Sequence, residues 1–210
     1  MKRLTRDERK ARTRAELVEA AARVFGRKGY HAATVDDVAE EAGFTKGAFY
    51  SNFETKEDVF VDLVADRSRN WTIAVARAYE GDEPLAERLR KGGEVLTRMI
   101  ETQVDWMLLS SEMWSQCVRD PRLRARLAAA YDECRQIIAR AVGQVEQEFG
   151  VRLPIPSAQV ATITMAMTDG FVLQRLADDR LPSGLLAESI NIFLAGLMTI
   201  AGVPAEARGA

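Results

Sequence analysis

The sequence predicts an all-α fold, on three observations. Apolar residues recur at three- and four-residue spacing along nearly the whole chain. No stretch alternates β-branched and polar residues between hairpin turns. Glycines, prolines and capping hydroxyls interrupt the periodicity often enough to divide it into about nine helices. At 210 residues such a chain can bury roughly 70% of its unfolded surface, so its core needs neither disulfides nor metals.

Each helix can be justified in turn. The first carries Leu17, Ala20, Ala21, Val24 and Phe25 on one stripe and stops at Gly29, a left-handed C-terminal cap. Thr34 followed by Asp37 is a capping-box variant that opens the second, with Val35, Val38, Ala39 and Ala42 facing inward and Gly43 as the stop. Thr45 caps a third helix reaching about Asn52, and Thr55 with Asp58 repeats the box chemistry for a fourth. The fourth runs through Phe60, Leu63, Trp71 and Val75 toward Tyr79, roughly 35 Å at ~1.5 Å per residue. Gly81 to Pro84 breaks it, and Pro84 suits the first turn of a fifth helix bearing Leu85, Leu89, Leu96 and Ile100. Asp120 and Pro121 pair an N-cap with a first-turn proline, which closes a sixth helix over 103–119 and opens a seventh over 122–149. Leu153-Pro154-Ile155-Pro156 reads as an extended linker. Two last helices over 157–177 and 185–201 flank the break at 178–184.

The net charge of −2, from 29 basic and 31 acidic residues, taken alone speaks against a nucleic-acid partner, because phosphate binding is driven by Lys and Arg releasing counterions. The distribution reverses that reading. Residues 1–14 hold seven basic side chains against Asp7 and Glu8, a local +5 that leaves −7 on the remainder. Even so, residues 1–58 hold 12 basic and 11 acidic groups, so affinity for DNA would rest on a few placed contacts. Cys117 and Cys134 are too far apart for a CxxC motif and are expected as reduced core residues. The longest uncharged runs, 189–205 and 153–168, fall short of the ~20 apolar residues of a membrane span, and the charged N-terminus lacks a signal peptide's apolar region. A soluble cytoplasmic protein without a membrane partner is expected. An enzyme is disfavoured: His31 is the sole histidine, and no phosphate-binding glycine loop, metal-ligand cluster or nucleophile elbow is present. The carboxylate pairs Asp36-Asp37, Glu40-Glu41 and Asp178-Asp179 fall at exposed helix starts or turns. No metal or cofactor is expected.

The informative segment is 34–53. Two helices meeting at a sharp angle need a small residue at the crossing, a glycine in the turn and apolar residues locking the second onto the first. Ala39, Gly43, and Val38 with Phe44 and Phe49 meet these needs. The second helix then has a free face, where Thr45, Lys46, Gly47, Ala48, Ser51 and Asn52 offer hydroxyls, an ammonium, an amide and room for close approach, as a major-groove reader requires. Tyr50 and Lys56 are placed for phosphate.

With these residues in view, about 13–63 resembles the DNA-binding domain of the TetR family of one-component transcriptional repressors. The resemblance is carried by Phe25, Gly29-Tyr30, Thr34-Val35, Val38-Ala39, Ala42-Gly43-Phe44-Thr45-Lys46-Gly47, Phe49-Tyr50-Ser51-Asn52-Phe53, Lys56-Glu57-Asp58 and Phe60. It covers about a quarter of the chain. It implies that Thr34, Tyr50 and Lys56 hold phosphates while Thr45, Lys46, Gly47, Ala48 and Asn52 line the groove. Asn52 departs from the His or other aromatic found there in many members, so base preference does not carry over. The implied organisation is a basic N-terminal arm over 1–12, the helix-turn-helix domain over 13–60, and a ligand-binding and dimerisation domain over 61–205.

The remaining three quarters carries no comparable motif. Helices 157–177 and 185–201 have few charges on any side and need a partner surface; the resemblance implies that they pair with their copies in a homodimer, which sets two recognition helices about 34 Å apart on a palindromic operator. Trp106, Met107, Met113, Trp114, Tyr131 and Met165 concentrate adaptable apolar surface for a small-molecule inducer of apolar or aromatic character, and Asp169 could orient it. Arg119, Arg122, Arg124 and Arg126 crowd the corner between the sixth and seventh helices and are expected to be solvated. The function implied is repression relieved by an inducer. The alternative is a helical small-molecule-binding protein or enzyme that binds no DNA.

Overall fold

In a computed structural model, which describes residues 5–203 apart from the Met113 side chain, the described residues form nine helices and no strand. They are α1 (Arg6–Lys28), α2 (Val35–Glu41), α3 (Lys46–Tyr50), α4 (Lys56–Ala78), α5 (Leu85–Thr102), α6 (Val104–Arg119), α7 (Pro121–Phe149), α8 (Ser157–Ala177) and α9 (Leu185–Ile200). The all-α expectation holds, and the hydroxyl caps and glycine stops fall at the expected positions, although Gly29 pairs its positive φ of 73° with an extended ψ of 161° instead of the left-handed helical conformation, and Pro84 is the N-cap of α5 and not part of its first turn. Two ends differ. Helix α3 closes at Tyr50, before the expected Asn52, because the Ser51 hydroxyl and the Asn52 amide both donate to the Ala48 carbonyl at 2.8 Å. Helix α1 begins at Arg6: Glu8 N–H donates to Thr5 Oγ1 at 3.2 Å and Thr5 N–H to Glu8 Oε2 at 2.7 Å, a full capping box. Residues 6–12, expected as an arm, are therefore helical, while Lys2 and Arg3 lie outside the described residues.

The chain divides into two compact units, Met1–Arg67 with Leu109–Ala128, and Ser68–Leu108 with Ala129–Ala210. The division does not fall at residue 60. The first unit also takes the next residues of α4, the end of α6 and the start of α7, where Cys117, Leu123 and Leu127 are buried. Its core holds Leu17, Val24, Val38, Phe49 and Val59 without exposure, and the rings of Phe25, Tyr30 and Phe60 meet with centroids 5.2–5.6 Å apart. Each such side chain contributes about 1.5–3 kcal/mol through burial.

The second unit has two apolar clusters, one around Leu96, Ile100, Met107, Phe171, Leu186 and Ile190, the other around Leu85, Leu153, Val160, Leu197, Met198 and Val203. Gly92 and Gly93 let α5 approach its neighbours closely. A Cβ on Gly92 would lie 2.3 Å from the Tyr79 ring, and one on Gly93 3.2 Å from Asn191 Nδ2. Asn191 then donates to the Leu89 carbonyl at 3.1 Å and accepts from the Tyr79 hydroxyl at 3.3 Å, which ties α9 to α5 and to the residue after α4. Burial pushes the Tyr79 phenol up to about 12. Arg88, itself buried, clamps Glu148 of α7 through two bonds of 2.9 and 2.7 Å.

Candidate nucleic-acid interface

Helix α2 ends in a Schellman motif. Phe44 N–H donates to Ala39 O at 2.8 Å, Gly43 N–H to Glu40 O at 3.0 Å, and Gly43 takes φ +72°, a conformation that costs an L side chain about 1–2 kcal/mol. The chain leaves that turn directly into the Thr45 cap, whose hydroxyl accepts from Ala48 N–H at 3.2 Å. Phe49 is fully buried and holds α3 down by its inner face, leaving Thr45, Lys46, Gly47, Tyr50 and Ser51 exposed. At Gly47 an added Cβ would meet nothing closer than 3.8 Å, so a partner's backbone could approach there. Tyr50, half exposed, stands edge-on to Phe49 with ring centroids 5.6 Å apart. Its hydroxyl is thus carried outward on a fixed ring.

Not every expected reader points outward. Asn52 is half-buried and its Nδ2 is bonded to the Ala48 carbonyl, so it closes α3 as well as standing beside it. Ser51 is exposed, yet its hydroxyl makes the same kind of bond. Lys46 pairs with Asp36 at 2.8 Å. Thr34 caps α2, its hydroxyl accepting from Asp37 N–H at 3.1 Å. Lys56 spends two of its three donors on the carbonyls of Tyr30 and Ala33, both at 2.8 Å, with its ammonium 4.3 Å from the Tyr30 ring centroid. It pins the loop before α2 onto α4, and one N–H remains for another acceptor. The half-buried carboxylates of α2 are also engaged: Asp37 with Lys28, and Glu41 with Arg23 and Arg27.

Residues that sequence reasoning passed over hold this head together. Asp58, buried on α4, accepts from Thr55 N–H at 3.0 Å and from Arg122 at 2.5 Å, and pairs with Arg126. Desolvation raises its carboxyl, but the bonds from Arg122 and Thr55 and the charges of Arg122 and Arg126 outweigh it, and the net shift is downward. Arg126 reaches on to Asp62, which Arg14 of α1 meets at 2.6 Å. Arg14 also donates to the Asn52 carbonyl at 2.5 Å and lies 4.0 Å from the Phe53 ring centroid. A connected series of charged bonds thus runs from α7 through α4 and α1 to the end of α3. Arg122 is exposed, as expected, but is paired with Asp58, and the expectation that Arg126 is solvated is corrected, because it is half-buried between acidic side chains one turn apart on α4. Only the spacing of Asp58 and Asp62, matched by that of Arg122 and Arg126, signals this pairing in the sequence.

The sequence profile of bacterial regulatory proteins of the tetR family matches residues 17–63, and that of the BetI-type transcriptional repressor C-terminal domain matches residues 84–199. The chain belongs to the tetR family. Among relatives of this TetR-family protein, the transcriptional activator FasR of Mycolicibacterium smegmatis is 30% identical over 65% of the chain and 59% of FasR, so the chain spans less than two thirds of that protein. The repressor AcnR of Corynebacterium glutamicum is 28% identical over 82% of the chain and 86% of AcnR. A TetR-family regulator from Mesorhizobium loti superposes with a TM-score of 0.69 at 19% identity, covering 95% of the chain and all of that structure. The TetR-family protein is a transcriptional regulator, not an enzyme, and its DNA-binding domain is the segment that the tetR profile matches, residues 17–63.

In its second unit, α4 and α7 border an open groove of about 520 Å³, with Ile73, Ala76, Ile137 and Ala141 as apolar lining and Arg69, Arg77 and Arg140 among its charged groups. None of the residues expected to bind ligand lines this groove. Trp106 and Met107 are buried, Tyr131 and Met165 half-buried, and Met113 has no described side chain. Trp114 is half exposed and lies in the first unit. Asp169 is exposed, yet the protein around its carboxyl partly desolvates it and shifts it above its ordinary value; the Tyr131 hydroxyl donates to it and offsets part of the rise. No helix among the described residues is long and apolar enough to cross a membrane.

Proposed function

We propose that this TetR-family regulator is a cytoplasmic repressor that binds a palindromic operator as a homodimer and releases it when a small apolar or aromatic molecule occupies the second unit. The observation that carries the DNA half of this reading is α3 itself: Phe49 is fully buried while Thr45, Lys46, Gly47 and Tyr50 are exposed on one short helix. In this reading Thr45, Lys46, Gly47 and Ala48 face base edges, with Lys46 exchanging Asp36 for a base or phosphate acceptor. The Thr34 and Tyr50 hydroxyls and the remaining Lys56 N–H hold phosphates, and Ser51 and Asn52 chiefly shape the end of the helix.

The dimer half is supported by α8 and α9. Ile163, Leu173, Leu185, Ile192 and Ile200 are exposed there, the last two by 73% and 72%, an apolar surface that a second copy would bury. Helix α4 contributes residues to both units, so a ligand that favours one position of α4 shifts the affinity for operator. Within the second unit, Trp106, Met107, Tyr131, Met165 and Asp169 are the proposed ligand contacts, with Tyr131 and Asp169 as the polar pair.

A fluorescence-anisotropy titration of the full chain against the duplex upstream of its own gene tests this. The expected result is salt-dependent binding of one dimer, with Lys46→Gln flattening the log–log salt slope by about 0.9 per subunit for a lost cation–phosphate contact, and Tyr50→Phe, which removes a neutral donor, weakening binding with the slope unchanged. Binding of a monomer, a wild-type slope in Lys46→Gln, or a wild-type affinity in Tyr50→Phe would contradict the assignment.

A further inference from the structure

We propose that the first two turns of α1 form a second DNA contact, in which Arg6 and Lys10 follow the phosphate backbone beside the groove that α3 reads. The inference rests on the DNA-binding reading of the first unit and extends its footprint. It starts from the face on which these residues lie. At 3.6 residues per turn, Arg6 and Lys10 fall within about 20° of Leu17, the first fully buried residue of α1, and Arg14 within about 60°. The face that is core from Leu17 onward, with Ala21 and Val24, therefore continues toward the N-terminus as Arg14, Lys10 and Arg6. Among the described residues no part of the first unit covers it there, and Arg6 and Lys10 are exposed.

Arg14 fixes where this stripe begins. Its guanidinium holds the Asn52 carbonyl at the end of α3 and rests on Phe53. From that point Lys10 lies about 6 Å and Arg6 about 12 Å further along α1, since four residues of helix advance roughly 6 Å. The stripe is thus continuous with the reading head. Its cations are also uncommitted. Arg6 and Lys10 make no ion pair among the described residues, whereas Arg12, on the opposite side of α1, is paired with Glu16 at 2.8 Å and Arg9 bonds the Thr5 carbonyl at 3.4 Å. Of the two acidic neighbours, Glu8 faces away and is held in the Thr5 capping box, while Asp7 lies on the stripe's side, within about 60° of Lys10, and leaves it net positive, one carboxylate against three cations. A row of cations at helical spacing, adjoining a DNA-reading element and lying where a core face has run out of core, suits a polyanion, and duplex DNA is the polyanion already next to it.

The test uses the full chain with three sets of variants, on the operator duplex and on a non-operator duplex of the same length, titrated between about 50 and about 300 mM salt. Arg6→Gln with Lys10→Gln is expected to lower the salt slope by roughly 1.8 per subunit, at about 0.9 per phosphate contact, on both duplexes, because backbone contacts carry no sequence information. Arg12→Gln removes one charge from the opposite face and is expected to leave the slope unchanged. Arg6→Lys with Lys10→Arg keeps the charges and is expected to keep the slope, which separates a lost contact from a frayed helix. A double Gln variant whose slope matches that of Arg12→Gln overturns the proposal while leaving the α3 reading intact. A wild-type chain that binds neither duplex overturns both.

Discussion

Asp58 offers the sharpest test of how the first unit is held. Its side chain is only 4% exposed, yet it meets two guanidiniums and the Thr55 cap. Asp58→Ala removes the acceptor for Thr55 N–H, a capping loss of about 1 kcal/mol. It also removes a charge-assisted bond to Arg126, which is 28% exposed and retains Asp62, at about 1–1.5 kcal/mol. The pairing with Arg122, 45% exposed, adds little because solvent screens it. The cap and Arg126 losses sum to about 2–2.5 kcal/mol, below the 3–5 kcal/mol typical of stripping one partner from a fully buried pair, since both arginines can turn to water. Urea unfolding followed by far-UV circular dichroism at neutral pH reads the loss directly. Arg126→Met should cost about 2 kcal/mol, because Asp58 keeps Arg122 and Asp62 keeps Arg14. In the double variant the two losses should fall short of additivity by at least about 1 kcal/mol. Strict additivity, or a loss under about 1 kcal/mol for Asp58→Ala, would refute the view that these charges join α4 to α7.

Asp37 is lowered to about 2, chiefly by Lys28 and the Thr34 backbone, and Glu41 to about 2 by Arg27 and then Arg23. Both folded values lie below the unfolded ones near 4, so the α1–α2 pairing contributes fully above about pH 5 and is lost as pH falls through about 2; denaturation at stepped pH should show that decline, and Asp37→Asn with Glu41→Gln should flatten it. Gly92→Ala would drive a Cβ to 2.3 Å from the Tyr79 ring and should lower the melting temperature, whereas Gly143→Ala, mid-helix with nothing within 4 Å, should raise stability by up to about 1 kcal/mol; equal effects in calorimetry would contradict this contrast. Gly43→Ala meets open space but keeps φ +72°, so a loss of about 1 kcal/mol is expected from backbone conformation alone, with Gly43→Asn costing less by the same denaturation assay.

Local signals carried far in this chain because each acts within one helical turn. A hydroxyl three residues before a carboxylate closes a capping box whatever surrounds it, so Thr34 with Asp37 and Thr55 with Asp58 marked the starts of α2 and α4. Gly43 with Ala39 and Phe44 specified the turn, and the buried Phe49 followed from the periodicity. The family and its DNA-reading segment were therefore readable from residues 34–53 and their neighbours. What the tertiary structure alone decided is which polar groups remain free. Lys56 looks like a phosphate ligand in sequence and spends two donors on Tyr30 and Ala33, 26 and 23 residues away. Arg122 and Arg126 look solvated and meet α4 carboxylates about 64 residues earlier. Arg14, counted only as part of a basic terminus, closes onto the end of α3 across 38 residues. Capping and periodicity are set by neighbours in the chain, whereas the partner of a long charged side chain depends on which distant helix packing brings within reach.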